Sequence, residues 1–241
     1  MSRNSDTSAP AEPEVITPQY NLMRQKLGAK GTATRQRILD AVVRLVNVQT
    51  GEVPSVSLIC RAALTSKATF YQYFEDFNAV VMELLRPSAI DVERLAEILA
   101  EEWPGDELYE RSYAFVALYF NHWDKHRVPL RLRNLLADAG DKTMIDVKLR
   151  SVDSIVRVLA GKLCAARGGG RERRDDHAIA IALMHALSSA AMVITHNVYP
   201  KAIDEAIMRI HGYPGDFQHR AIAHLLFLAL QNPEVPAPPL T

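Results

Sequence analysis

SVSLICRAALTSKATFYQYF, residues 55–74, decides the architecture of this chain. Ser55 is suited to cap a short helix, and Val56, Ile59 and Ala63 then recur on one face of it. The triplet LTS (64–66) breaks that helix. A second short one follows, with four aromatic rings in nine residues, although the whole chain is only 7% aromatic. Phe70 and Phe74 stand four apart, so they share a side and predict an inward stripe. Tyr71 and Tyr73 are then expected to face outward with Lys67, Thr69 and Gln72. A tyrosine offers its ring to sugar and base-methyl surfaces and its hydroxyl to phosphate, which suits a surface laid on duplex DNA.

Upstream, Thr32 or Thr34 is placed to cap a longer helix in which Ile38, Leu39, Val42, Leu45 and Val46 recur at helical spacing. QTGEVP (49–54) ends it. Downstream, Asp76 caps a fourth helix as far as Arg86, where Pro87 interrupts or kinks it. Helical patterns continue over about 88–102, 106–126, 129–138, 141–167, 174–197, 201–211 and 215–231, punctuated by PGD, GGG, VYP and GYPGD. No alternating strand pattern with hairpin turns occurs, so the predicted fold class is all-α. The expected organisation is a flexible basic arm (1–31), a three-helix DNA-binding unit (32–76), a larger helical domain (77–232) and a frayed tail (233–241).

Composition narrows the class of protein. Of 241 residues, 48% are hydrophobic and 23% charged, the balance of an ordinary soluble globular chain. No run approaches the roughly 18 apolar residues of a membrane span. The first twenty residues lack an apolar segment, which predicts no secretory signal and a cytoplasmic location. Cys60 and Cys164 lie far apart without a C-x-x-C spacing, which fits a reducing compartment and neither a disulfide framework nor a zinc knuckle. The net charge of zero averages two unlike parts. Between Arg24 and Phe74, eight basic residues face only Asp40 and Glu52, an excess of six that the rest of the chain cancels. A compact basic module on an acidic remainder points to an anionic partner for the module.

Three short helices with a tight turn between the last two suggest a helix-turn-helix, whose last helix enters the major groove. TRQRILDAVVRLV (34–46), then residues 55–74, then a capped fourth helix, resembles the N-terminal domain of TetR-family transcriptional regulators over Thr34–Leu85. The T-F-Y-x-Y-F core is the most specific part. The resemblance implies that Lys67, Ala68 and Tyr71 approach base edges, while Thr69, Gln72, Tyr73 and Ser57 touch phosphate. Three positions depart from the family pattern: Leu64 and Ala68 stand where glycine is frequent, and Phe77 stands where a lysine commonly meets a phosphate. The basic arm with Arg24, Lys26 and Lys30 is expected to compensate by reaching the adjacent minor groove.

One such module buries too little surface for tight binding, so a homodimer on a palindromic operator is expected, its reading helices about 34 Å apart. Two stripes near the C-terminus supply its face: Ile179, Leu183, Ala186, Leu187 and Ala190, and Ile222, Leu225, Leu226 and Ala229. Between reader and dimer face, the resemblance implies a pocket for a small, largely apolar effector. Phe115, Tyr119, His122, Trp123, Asn134, Asp138, Met144, His185, Met192 and His196 fall on helical faces suited to line it. His122 and His126 have the i, i+4 spacing of a shared metal ion, but no third ligand stands nearby in sequence, so no metal and no cofactor are expected. ARGGGRERR (166–174) lacks the strand and the G-K-[ST] of a phosphate cradle and reads as a basic loop. No serine or cysteine is patterned beside a histidine base, which predicts a regulator rather than an enzyme. The alternatives are a DNA-binding regulator gated by a protein or purely architectural, and a helical enzyme.

Overall fold

The computed structural model describes residues 20–48, 52–171, 173–195 and 217–231. The described residues form ten helices and no strand. These are α1 (Ala29–Val48), α2 (Val56–Ala62), α3 (Lys67–Tyr73), α4 (Phe77–Ala100), α5 (Leu108–Lys125), α6 (Arg127–Asp138), α7 (Lys142–Arg150), α8 (Asp153–Ala166), α9 (Arg174–Thr195) and α10 (Phe217–Leu230). The expected helix at 201–211, residues 1–19 of the expected arm and the tail 233–241 lie outside the described residues. None of these helices is long and apolar enough to cross a membrane.

Local chemistry sets most boundaries. Ser55 accepts from the Leu58 N–H, Ser66 from Thr69 and Asp76 from Ala79, so three side-chain oxygens start α2, α3 and α4. Helix α1 begins at Ala29, ahead of both threonines. The Thr34 hydroxyl donates back to the Lys30 carbonyl at 2.9 Å, and the Thr32 N–H reaches Gly28 at 3.0 Å, so both threonines are interior rather than caps.

Two further boundaries differ from expectation. Helix α4 runs on through Pro87 to Ala100 instead of ending there. The pattern at 141–167 divides into α7 and α8. Ser151 separates them, its hydroxyl donating to the Lys148 carbonyl and accepting from Arg133 at 2.8 Å.

Helices α1–α3 enclose Ile38, Val42, Ile59, Phe70 and Phe74, all essentially without solvent exposure. Around α4, the helices α5, α6 and α8 pack on its length, α9 packs on α5 and α8, and α10 lies along α5. The buried residues of reader and helical body form one continuous cluster. Helix α6 is the second bridge between them, since it touches both α4 and α1.

Candidate functional site

The turn before α3 sets the reading face. Leu64 N–H donates to Arg61 and Thr65 N–H to Cys60, which closes α2 in the wrapped geometry that places its pivotal residue in the left-handed region. That residue is Leu64, at φ 52°, with a side chain 88% exposed. The leucine therefore occupies the conformation that glycine adopts freely, instead of shifting the turn.

Beyond the turn, Lys67, Ala68 and Tyr71 are exposed together on α3, and Ser57 is exposed early in α2. Thr69 is half-buried, its hydroxyl 2.9 Å from that of Ser66. Tyr73 departs from the expected outward position: it is half-buried against the core, with its hydroxyl beside Gly31. Cys60 is buried, and burial pushes its thiol up, as suits an inert packing residue. Phe77 likewise packs on the core.

The basic segment before α1 differs from a free arm where it is described. Tyr20 bridges Lys26, Asn21 N–H donates to the Gln25 carbonyl, and Leu22 N–H donates to the Gln72 carbonyl at 3.0 Å. Residues 20–28 thus form a closed turn fastened to the end of α3. Arg24 and Lys26 are carried on that turn and Lys30 on α1, all three exposed. Arg35, by contrast, leaves the basic surface. It forms a two-pronged pair with Glu83 of α4 and lies 4.8 Å over the Phe74 ring, which ties α1 to α4 inside the reader.

A cavity of about 1120 Å³ lies between α4, α5, α6, α7, α8 and α9. It reaches from buried Tyr119 and Trp123 to exposed Glu93 and Leu149, so it is open to the surface. Of the residues expected to line it, Tyr119, His122, Trp123, Asn134, His185 and Met192 do. Three do not. Phe115 packs against Trp103, Met144 is fully buried elsewhere, and Asp138 is exposed and paired with Lys148. His196 lies outside the described residues. The sequence reading missed Ser88 and Arg133, which α4 and α6 place in the wall. A signal for Arg133 existed: it shares one face of α6 with Leu130, Asn134 and Ala137, a buried stripe on which arginine is out of place.

The polar groups of the wall are few. The Tyr119 hydroxyl meets Ser188 Oγ at 2.7 Å, and burial raises the phenol above its usual range. Ser88 Oγ lies 3.4 Å from His122 Nε2. This serine–histidine approach was not visible in the sequence, yet it is a poor nucleophile pair. Burial, with the neighbouring His126, pushes His122 down to about 4, a weak base, and among the described residues its Nδ1 has no partner to orient the ring. Asp91 of α4 instead accepts from His126 Nε2 at 2.7 Å and from Lys125 at 2.9 Å. Burial pushes the Asp91 carboxyl up, but those two hydrogen bonds outweigh it and hold it below its usual range.

Asp91 also supplies what the histidine pair lacked. Among the described residues, Asp91, His122 and His126 are the group whose donor atoms lie close enough to share an ion, within 4.8 Å of one another. Lys125 on Asp91 and the Arg133 charge acting on His122 both oppose a cation there.

The dimer stripes split in the fold. Leu187 and Leu226 are buried within the chain, whereas Ile179, Ala186 and Leu225 remain exposed, beside exposed Leu228. The covered half of each stripe is where α9 and α10 meet each other and the body.

Residues 95–209 match the family model described as tetracyclin repressor-like, C-terminal domain. No curated protein and no solved structure matches the chain. The match begins in the last quarter of α4 and takes in α5 to α9, which enclose the cavity together with the earlier part of α4. The C-terminal part is thus similar to a tetracyclin repressor-like domain, and the three-helix unit ahead of it completes a TetR-like arrangement.

Proposed function

We propose that the protein is a homodimeric repressor that leaves a palindromic operator when a small, largely apolar molecule enters its cavity. The observation that carries this reading is the course of α4. It starts at the Asp76 cap, directly behind the reading helix, and continues for 24 residues to become a wall of the cavity. A ligand that favours one position of α4 shifts the angle of the reading face, and hence the spacing of two such faces on one duplex. Lys67, Ala68 and Tyr71 read bases in this scheme, and Ser57, Thr69, Gln72 and Tyr73 hold the backbone. Arg24 and Lys26 extend the contact from the turn fastened to α3, and Lys30 extends it from the start of α1. The exposed apolar residues of α9 and α10 form the contact with the second subunit.

An open cavity of this size favours a small-molecule signal over a protein-gated or architectural role, which needs no internal space. Catalysis is not part of the reading, because the serine–histidine pair lacks both basicity and an orienting carboxylate. The test is recovery and sequencing of genomic DNA bound by the full chain, followed by binding to the recovered sites. A shared palindrome, bound by two chains and weakened by Lys67→Ala, is the expected result. Binding without sequence preference, or by a single chain, overturns it.

A further inference from the structure

Arg133 is 5% exposed, and no carboxylate among the described residues pairs with it. Its acceptors are neutral. Nε and Nη2 both donate to the Asn134 side-chain oxygen, at 3.2 and 3.0 Å, and Nη1 donates to Ser151 Oγ at 2.8 Å. A guanidinium has five N–H groups, so one on Nη1 and one on Nη2 are left without a protein acceptor among the described residues. The Trp123 ring, 6.0 Å away, adds a further neutral contact. Burial lowers the guanidinium to about 10, which still leaves it charged near neutral pH.

A buried charge held only by neutral groups is unfavourable unless something else compensates it. The acids of the wall do not supply that compensation. Glu83 is taken by Arg35, Asp146 by Arg150 and Asp153 by Arg157, while Glu93 is exposed at the rim. Arg133 itself borders the cavity, alongside apolar walls such as Val92, Leu130, Val156 and Met184.

The geometry points to an amphipathic carboxylate as the effector, its apolar body in the cavity and its two head oxygens on the Nη1 and Nη2 of Arg133. This rests on the ligand-gated reading above and names the class of ligand. Two parallel N–H donors match the two oxygens of a carboxylate, and low polarity around them strengthens the pair. The Asn134 side-chain N–H₂ group, whose one acceptor among the described residues is the Met192 sulfur at 3.5 Å, is a further donor beside the site. Helix α6 carries both donors and packs on α1, so a headgroup bound here pulls on the helix that supports the reader.

The experiment uses the full chain and two matched probes, decanoate and its neutral isostere decanamide, each displacing the uncharged fluorophore phenylnaphthylamine. Fluorophore binding that is lost in Ala89→Trp, which fills the cavity from α4, establishes that the cavity takes ligands at all. Its failure sinks the ligand-gated reading and this inference together. With the fluorophore bound, decanoate is expected to compete about tenfold or more better than decanamide. Equal competition by the two, or no competition by decanoate, overturns the carboxylate inference and leaves the cavity reading standing. Arg133→Gln is expected to abolish the preference without weakening decanamide, and Arg133→Lys to retain part of it. Should Arg133→Gln fail to fold, the comparison in the unmodified protein decides alone.

Discussion

Asn78, in the first turn of α4, donates its side-chain amide to Asp141 at 2.7 Å, while the other carboxylate oxygen of Asp141 caps α7 through the Met144 N–H. One carboxylate therefore joins the start of the shared helix to a helix of the cavity wall. The Asn78 hydrogen bond, ahead of the α7 backbone bonds, holds the Asp141 carboxyl below its usual range. A second strut joins Arg131 of α6, as donor, to the Val46 carbonyl of α1 at 3.4 Å.

A double-mutant cycle isolates the first strut. Asn78→Ala and Asp141→Ala each remove it, and Asp141→Ala also removes the α7 cap. The interaction energy between them is expected at about 1 kcal/mol, measured by chemical denaturation. Additive effects would mean that the contact contributes nothing. If the strut transmits the ligand signal, Asn78→Ala also keeps operator affinity while blunting release by ligand.

Leu64 offers the opposite kind of test, a substitution that should help. A leucine at φ 52° meets the clash between Cβ and carbonyl that glycine avoids, and its exposed side chain recovers little by packing. Leu64→Gly is expected to raise stability by about 0.5–1 kcal/mol after the greater freedom of the unfolded glycine is subtracted. Leu64→Ala, with the same backbone demand, should not. Thermal melts of the three proteins decide it, and a loss of stability in Leu64→Gly would show that the leucine makes a contact worth more than its strain.

How far the residues announced this arrangement differs between its two halves. The reader was legible because its signals are local. Ser55, Ser66 and Asp76 are strong caps, and Phe70 and Phe74 share a face whatever the rest of the chain does. Thr34 misled because a hydroxyl that caps one helix can equally bond back to the carbonyl four residues earlier. The cavity was half legible. Phe115 and Met144 lie on stripes that are buried, but periodicity tells which face is covered and not whether protein atoms or space lie opposite. The Arg35–Glu83 pair, Asp91 beside His126, and Arg133 in the wall join residues from separate helices, and no spacing along the chain encodes them.

His122 makes acid stability specific to the cavity wall. Burial, then the neighbouring His126, lowers its pKa from the ordinary 6.5 to about 4 in the folded protein. Between those values the unfolded chain binds a proton that the folded chain refuses, so stability is fully present above pH 6.5 and falls as the pH drops toward 4. The loss is at most about 3 kcal/mol. Asp91 opposes it, while Lys125 and Arg133 add to it. His122→Gln is expected to flatten the slope of unfolding free energy against pH across this window. An unchanged slope would show that other groups govern it.

Pro87 interrupts the hydrogen bonding of α4 at the level where reader and cavity meet. It has no N–H to give the carbonyl of Glu83 one turn earlier, and Glu83 is the residue whose side chain holds Arg35 of α1. The next residue, Ser88, is buried against His122 in the cavity wall. A missing backbone bond between these two contacts lets α4 bend there more easily than an unbroken helix. Pro87→Ala is therefore expected to raise thermal stability by about 1–3 kcal/mol and to slow amide exchange around Ser88–Asp91. It is also expected to weaken ligand-driven release from DNA while leaving operator affinity unchanged. Exchange measured along α4 and anisotropy of labelled operator, with and without a cavity ligand, read the two effects separately. Slower exchange with undiminished release would mean that α4 transmits the signal as a rigid rod, and that the proline is only a tolerated gap in its bonding.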